Sequence, residues 1–370
     1  MGRRVFNFSA GPATLAQSVL DDAQRYVVEV PGEGVSALEI SHRSPWFTDV
    51  IHEAESNLRL LLDIPSNHRV VFCQGGATQQ FSMLAMNFLR GASSQYVLTG
   101  AWGSKAAAEA RKEGEVRIAW TDEERGFRRV PTDDELSRAL TADAAFVHIT
   151  ANETIQGVEF PVTPVIPPGV ELFCDMSSDF LSRPVDVGRY GLIYAGAQKN
   201  AGPAGVTVAI VRQDLLDRIP DGLPSVLDYR TFTDHGSLYN TPPVFSILVL
   251  MLVTRWLRED VGGLVAQLEH NKRKASALYD AIDASEGFYR GHAEQTSRSL
   301  MNVTWTLPTP ELEHRFISEA AAQGMIELKG HRSVGGIRAS IYNAMPFEGA
   351  ETLAGFMTAF RAQNRGAEVI

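Results

Sequence analysis

The chain has 370 residues, 44% of them apolar and 21% charged, with a formal net charge of −10. That length can bury a large core and suits two domains, while the acidic balance excludes broad electrostatic attachment to nucleic acid or to an anionic membrane surface. Its two cysteines, Cys73 and Cys174, both lie in apolar segments, so no disulfide framework is expected and a reducing, cytoplasmic compartment fits.

Residues 1–15 show no strong pattern and could pack on either domain. Arg3-Arg4-Val5-Phe6 faintly resembles a twin-arginine export signal, but no sustained apolar region follows. Gly2 lacks the Ser or Thr at position 6 that acylation requires. Seven short apolar runs then alternate with helical patterns: Arg69 to Phe72, Tyr96 to Leu98, Val116 to Trp120, Ala144 to Ile149, Val170 to Cys174, Leu192 to Ala197 and Val206 to Val211. Continuous apolar strands indicate burial on both faces, as in a mostly parallel sheet covered by helices. The expected fold class is therefore α/β. Ligands of such sheets sit beyond the carboxyl ends of the strands.

The longest apolar run, Val244 to Val253, is half a membrane span and predicts a buried helix, so no membrane is expected as a partner. Asp260-Val-Gly-Gly263 reads as a boundary. It divides the chain into a segment 1–15, a large domain 16–260 and a smaller α+β domain 261–370. The smaller domain begins with a charged amphipathic helix from about Leu264 to Ile282, followed by a strand from Met301 to Leu307 and a helix from Thr309 to Gln323.

The chemistry gathers at strand ends. Lys199 follows the run Leu192 to Ala197 among small residues, an odd place for a solubilising charge. An amine held in a dry pocket loses basicity and can condense with a carbonyl, although the residue alone would also fit a charge at the start of a helix. Asp175 ends the run before it and could pair with a pyridine nitrogen, or simply cap Met176-Ser-Ser-Asp179. An aspartate and a lysine at successive strand ends suggest pyridoxal 5'-phosphate. Gly75-Gly-Ala-Thr78 opens a helix whose amides, with Ala77 and Thr78 foremost, could receive a phosphate; a tight turn explains it equally well. Trp102, set between glycines, offers a flat face for stacking, though tryptophan is more often core. His42-Arg43 and His331-Arg332, with Arg338 nearby, would suit a dianionic phosphate if they converged; singly, each reads as a surface motif.

Several blocks together carry a family resemblance. They are Phe6-Asn-Phe-Ser-Ala-Gly-Pro12, Ser41-His-Arg-Ser44, Asn152-Glu-Thr154, Tyr194 to Gly205, Asn240-Thr-Pro-Pro243 and the stretch Gly330 to Met345. From the N-terminus to about residue 360 the chain resembles the phosphoserine aminotransferase family. The resemblance implies a fold-type I, pyridoxal-phosphate-dependent homodimer with active sites at the subunit interface. It implies amino transfer from glutamate to 3-phosphohydroxypyruvate in serine biosynthesis, and in some relatives use of 4-phosphohydroxythreonine, a pyridoxine precursor. By position, Lys199 then resembles the Schiff-base lysine, Asp175 the ring-nitrogen partner and Trp102 the stacking residue. Thr154 and Gln198 match contacts to the polar edge of the ring, and Ala77 and Thr78 the cofactor-phosphate turn. Asn240 and Thr241 match residues that reach the cofactor phosphate from the partner subunit. His42, Arg43, His331 and Arg332 match a substrate-phosphate clamp, and Arg338 an α-carboxylate anchor. Some members carry an arginine where this chain has Thr78, so that charge is missing here. A same-fold aminotransferase for an unphosphorylated keto acid such as glyoxylate is the alternative. No metal is expected.

Overall fold

A computed structural model of the chain describes residues 4–364. Gly2 and Arg3, and the end of the expected C-terminal domain, lie outside the described residues.

All seven apolar runs become the strands of one sheet, in the spatial order His68–Cys73, Thr207–Arg212, Leu192–Gly196, Glu171–Asp175, Phe146–Thr150, Ser93–Leu98 and Glu115–Thr121. Neighbours are parallel except around Thr207–Arg212, which runs antiparallel to both adjacent strands. Alternate residues feed two apolar layers. Val70, Phe72, Val147, Ile149, Leu172, Cys174 and Ile193 face one layer, whereas Val71, Phe146, Phe173, Leu192 and Tyr194 face the other. The helices Pro45–Leu62 and Val244–Glu259 cover the first layer, and Gly76–Phe88 and Ala101–Ala110 the second.

One strand departs from the expectation of burial on both faces. Glu115–Thr121 is only half-buried; it is one of the two sheet edges and pairs on one side alone, whereas the other edge, His68–Cys73, is covered. The run from Val244 forms the expected helix, with every residue from Ile247 to Val253 buried. Each such aliphatic side chain contributes roughly 1.5–3 kcal/mol by leaving water. No helix among the described residues is long and apolar enough to cross a membrane.

A third apolar cluster joins the helices Leu264–Asp283, Pro310–Ala322 and Phe347–Gln363 to a sheet of Arg290–Gly291, Asn302–Thr306 and Ile337–Ser340. Thr309 caps its helix rather than joining it, its Oγ1 accepting the Leu312 N–H at 3.3 Å, and Pro310 takes the first helical position. The N-terminal segment, patternless in sequence, touches both halves. Phe6–Asn7 pairs with Met325–Ile326, Phe8 is buried in the third cluster, and the Ala13 N–H donates to the Gln198 carbonyl at 2.9 Å. Pairing across more than three hundred residues leaves no local signature in so short a strand.

Candidate active site

The strands Glu171–Asp175 and Leu192–Gly196 lie side by side, with Asp175 opposite Tyr194. Their carboxyl ends therefore deliver Asp175 and, after one tight turn, Lys199 to the same edge of the sheet. That turn is closed by the Ala197 N–H donating to the Val206 carbonyl at 3.1 Å. Gly205 permits it, since a Cβ there would lie 2.8 Å from Ser246 Oγ and φ is +113°.

A cavity of about 260 Å³ opens at this edge. Lys199 and Asp175 form part of its wall, together with Gln198, Trp102, Ala77 and Thr78. Gly75 and Gly76, with φ of +84° and +64°, swing the chain from strand into the Gly76–Phe88 helix. No side chain caps that helix, so its first amides face the cavity without a protein partner. Asp175 lines the cavity, and its Oδ1 also makes the capping contact expected of it, accepting the Ser177 N–H at 2.8 Å.

The Lys199 Nζ donates to Thr154 Oγ1 at 2.6 Å and stands 5.6 Å from the centre of the Trp102 ring. Enclosure by protein pushes this amine down to about 8, against the pull of Asp175 and Glu153 and with the help of Arg338. Burial raises the Asp175 carboxyl, which Lys199 and Ser177 oppose. Burial thus disfavours the charged form of each group, and their mutual attraction opposes it. Trp102 Nε1, Thr150 Oγ1 and Asn152 Oδ1 are buried without hydrogen-bond partners among the described residues. All three residues line the cavity, which marks it as built for a polar guest.

Arg338 and His331 line a second cavity of about 430 Å³, beside Ile155. Arg338 projects from the Ile337–Ser340 strand opposite Thr304, and burial lowers its basicity. His331 is likewise lowered, first by burial and then by Arg338, Lys105 and Arg332. Arg332 itself is exposed. His42 and Arg43 lie in the turn that precedes the Pro45–Leu62 helix, and His42 Nε2 is buried with no partner among the described residues. Asn240 and Thr241 lie in the link before the Val244–Glu259 helix, where Thr241 O accepts from Gln74 Nε2 at 3.2 Å. None of these four residues lines either cavity.

Two residues passed over in the sequence belong to this neighbourhood. Glu153 is buried behind Trp102, and the only hint of it was its place beside Thr154 in Asn152-Glu-Thr154. Lys105 sets its Nζ 4.1 Å over the Trp102 ring; it stands one helical turn after Trp102, a spacing that puts both on one face.

The family model for class-V aminotransferases matches residues 5–353. A phosphoserine aminotransferase of Rhodopirellula baltica is 53% identical over 363 residues, covering 98% of this chain and 96% of its own. The solved phosphoserine aminotransferase of Bacillus circulans subsp. alkalophilus superposes with a TM-score of 0.95 at 47% identity, over 98% of this chain and 100% of that one. The pyridoxal-phosphate-bound enzyme of Trichomonas vaginalis gives a TM-score of 0.91 at 36% identity, over 96% of this chain and 100% of that one. Solved glyoxylate-using aminotransferases also superpose, but at 15% and 17% identity they share the fold alone. The chain belongs to the phosphoserine aminotransferase family within the class-V aminotransferases.

Proposed function

We propose that the chain transfers the amino group of glutamate to 3-phosphohydroxypyruvate, giving O-phosphoserine and 2-oxoglutarate, with pyridoxal 5'-phosphate as cofactor. The observation that carries this reading is the enclosed Lys199–Asp175 pair facing a cavity whose walls include an uncapped helix start and a tryptophan face. Those residues fit the cofactor. Uncapped amides at Ala77 and Thr78 suit its phosphate, Trp102 its ring, Asp175 its ring nitrogen and Lys199 its aldehyde carbon. When bound, the cofactor supplies a carbonyl that condenses with amines and a ring that accepts the electron pair released at the α-carbon.

The chain's own residues do the rest. Thr154 Oγ1 holds the Lys199 Nζ at 2.6 Å. With its basicity lowered, Lys199 can take a proton from the α-carbon of glutamate and return one at the next position. Asp175 keeps the proton on the ring nitrogen, since a carboxylate there stabilises the positive charge. Arg338 offers a bidentate fork for an α-carboxylate, which both substrates possess. His331 and Arg332, joined by His42 and Arg43, recognise the phosphate of one substrate and the side-chain carboxylate of the other.

The last two residues lie away from the cavities of their own chain, as do Asn240 and Thr241. A homodimer in which each chain lends these residues to its neighbour's site accounts for them. The exposed Leu38 and Tyr239 beside those segments supply apolar surface for the contact. The division at 260 and 261, a cytoplasmic location and use of the phosphorylated pyridoxine precursor belong to the same proposal. Turnover with 3-phosphohydroxypyruvate should exceed that with unphosphorylated hydroxypyruvate by about a hundredfold in kcat/KM, the worth of two charge-assisted contacts. Equal values would overturn the substrate assignment.

A further inference from the structure

The mechanism leaves one acid beside the cavity without a task. Glu153 ends the short strand Asn152–Glu153 and exposes none of its surface. Its Oε2 accepts the Trp102 N–H at 2.9 Å and its Oε1 accepts the Gly103 N–H at 2.8 Å. Both amides belong to the first turn of the Ala101–Ala110 helix, for which Gly100 provides no side-chain cap. A carboxylate is favoured there by the helix dipole and by two otherwise orphaned donors.

The surrounding glycines make room for this clamp. A Cβ on Gly100 would lie 2.4 Å from Glu153 Cδ, and one on Gly103 would lie 3.3 Å from Oε1. Neither glycine has a left-handed φ, so close approach and not backbone conformation explains their presence. The carboxyl is also electrically joined to the reacting pair. Burial pushes it up to about 7, with Asp175 raising it further and Lys199 opposing.

We propose that Glu153 is a positioning residue for amino transfer, clamping the Trp102 helix so that the indole faces the cavity, and lending its charge to the proton held at Lys199. The proposal rests on the reading of the site given above. It goes beyond that reading in naming what orients Trp102 and what sets the charge around the lysine.

The test uses the holoenzyme and the protein stripped of cofactor. In the holoenzyme, the absorbance of the bound cofactor is followed against pH, since it reports the proton held beside Lys199. Replacing a nearby negative charge with a neutral amide in Glu153→Gln disfavours that proton, so the midpoint should fall by about one pH unit. In the stripped protein, quenching of tryptophan fluorescence gives the cofactor dissociation constant. It should rise about tenfold in Glu153→Gln, the loss of one charge-assisted hydrogen bond. Gly100→Ala should push the carboxyl off both amides, which raises the dissociation constant; the lost donors also favour the neutral acid, so the midpoint should fall too, by less than in Glu153→Gln. Should Glu153→Gln fail to fold, Glu153→Asp retracts the carboxylate and predicts the same pattern as Gly100→Ala. A midpoint unmoved in Glu153→Gln overturns the role of the charge, and an unchanged affinity in any of these variants overturns the clamp. A wild-type protein with no cofactor absorbance would instead count against the parent reading.

Discussion

Lys199 and Lys274 are both enclosed amines, and they differ in their company. Lys274, on the Leu264–Asp283 helix, donates to the carbonyls of Ile341, Tyr342 and Asn343 at 2.9, 2.6 and 3.3 Å. Those acceptors satisfy it completely, and burial alone pushes it down to about 7. Lys199 has one hydroxyl partner, three carboxylates in its field and a cavity in front of it. A buried lysine is therefore not reactive merely because it is buried. What matters is whether its nitrogen has been left something to do. The two are also linked, because Lys274 braces the segment whose Asn343 N–H donates to Asn200 Oδ1 at 2.9 Å, one residue beyond Lys199.

The contrast breaks most sharply under substitution of each lysine. Lys199→Ala should lower kcat by about a thousandfold or more, the scale of losing a positioned proton carrier, while leaving the unfolding midpoint nearly unchanged. Steady-state kinetics beside a urea titration would check it. Further out on the site, His331→Ala should raise KM for the phosphorylated keto acid about tenfold with little change in kcat, because the lost contact acts in both ground and transition states. Lys274→Met should show the opposite pattern to Lys199→Ala. Stranding three buried carbonyls costs about 3 kcal/mol in urea unfolding, and kcat should stay within about twofold.

A smaller effect follows from pH. The folded value for Lys274 lies below the model-peptide value of 10.5, so between about 7 and 10.5 the unfolded chain binds a proton that the folded chain does not. Stability from this group is therefore present above 10.5 and lost as pH falls through that window. Urea unfolding at several pH values should show a slope that flattens in Lys274→Met by at most about 1.4 kcal/mol per pH unit.

The residues that sequence reading could find were those with a local mark. Asp175 and Lys199 each follow an apolar run, and the 75–78 turn is marked by its glycines, so the sheet and the edge that carries the cavity were legible. Glu153 was not, because its purpose is fixed by amides fifty residues earlier in the chain, reached only when strand and helix pack. Lys274 was hidden in a charged amphipathic helix, where it is one charge among several until the carbonyls of 341–343 are placed above it. The half-exposed edge strand and the pairing of Phe6–Asn7 with Met325–Ile326 were likewise matters of partner, not of pattern.

The most direct test distinguishes the two amines in one experiment. The holoenzyme is reduced with borohydride, digested, and its peptides weighed for the added mass of the reduced cofactor. The mass should appear on the peptide containing Lys199 and on no other. Finding it on the Lys274 peptide, or on none, would contradict the assignment of Lys199 as the reacting amine.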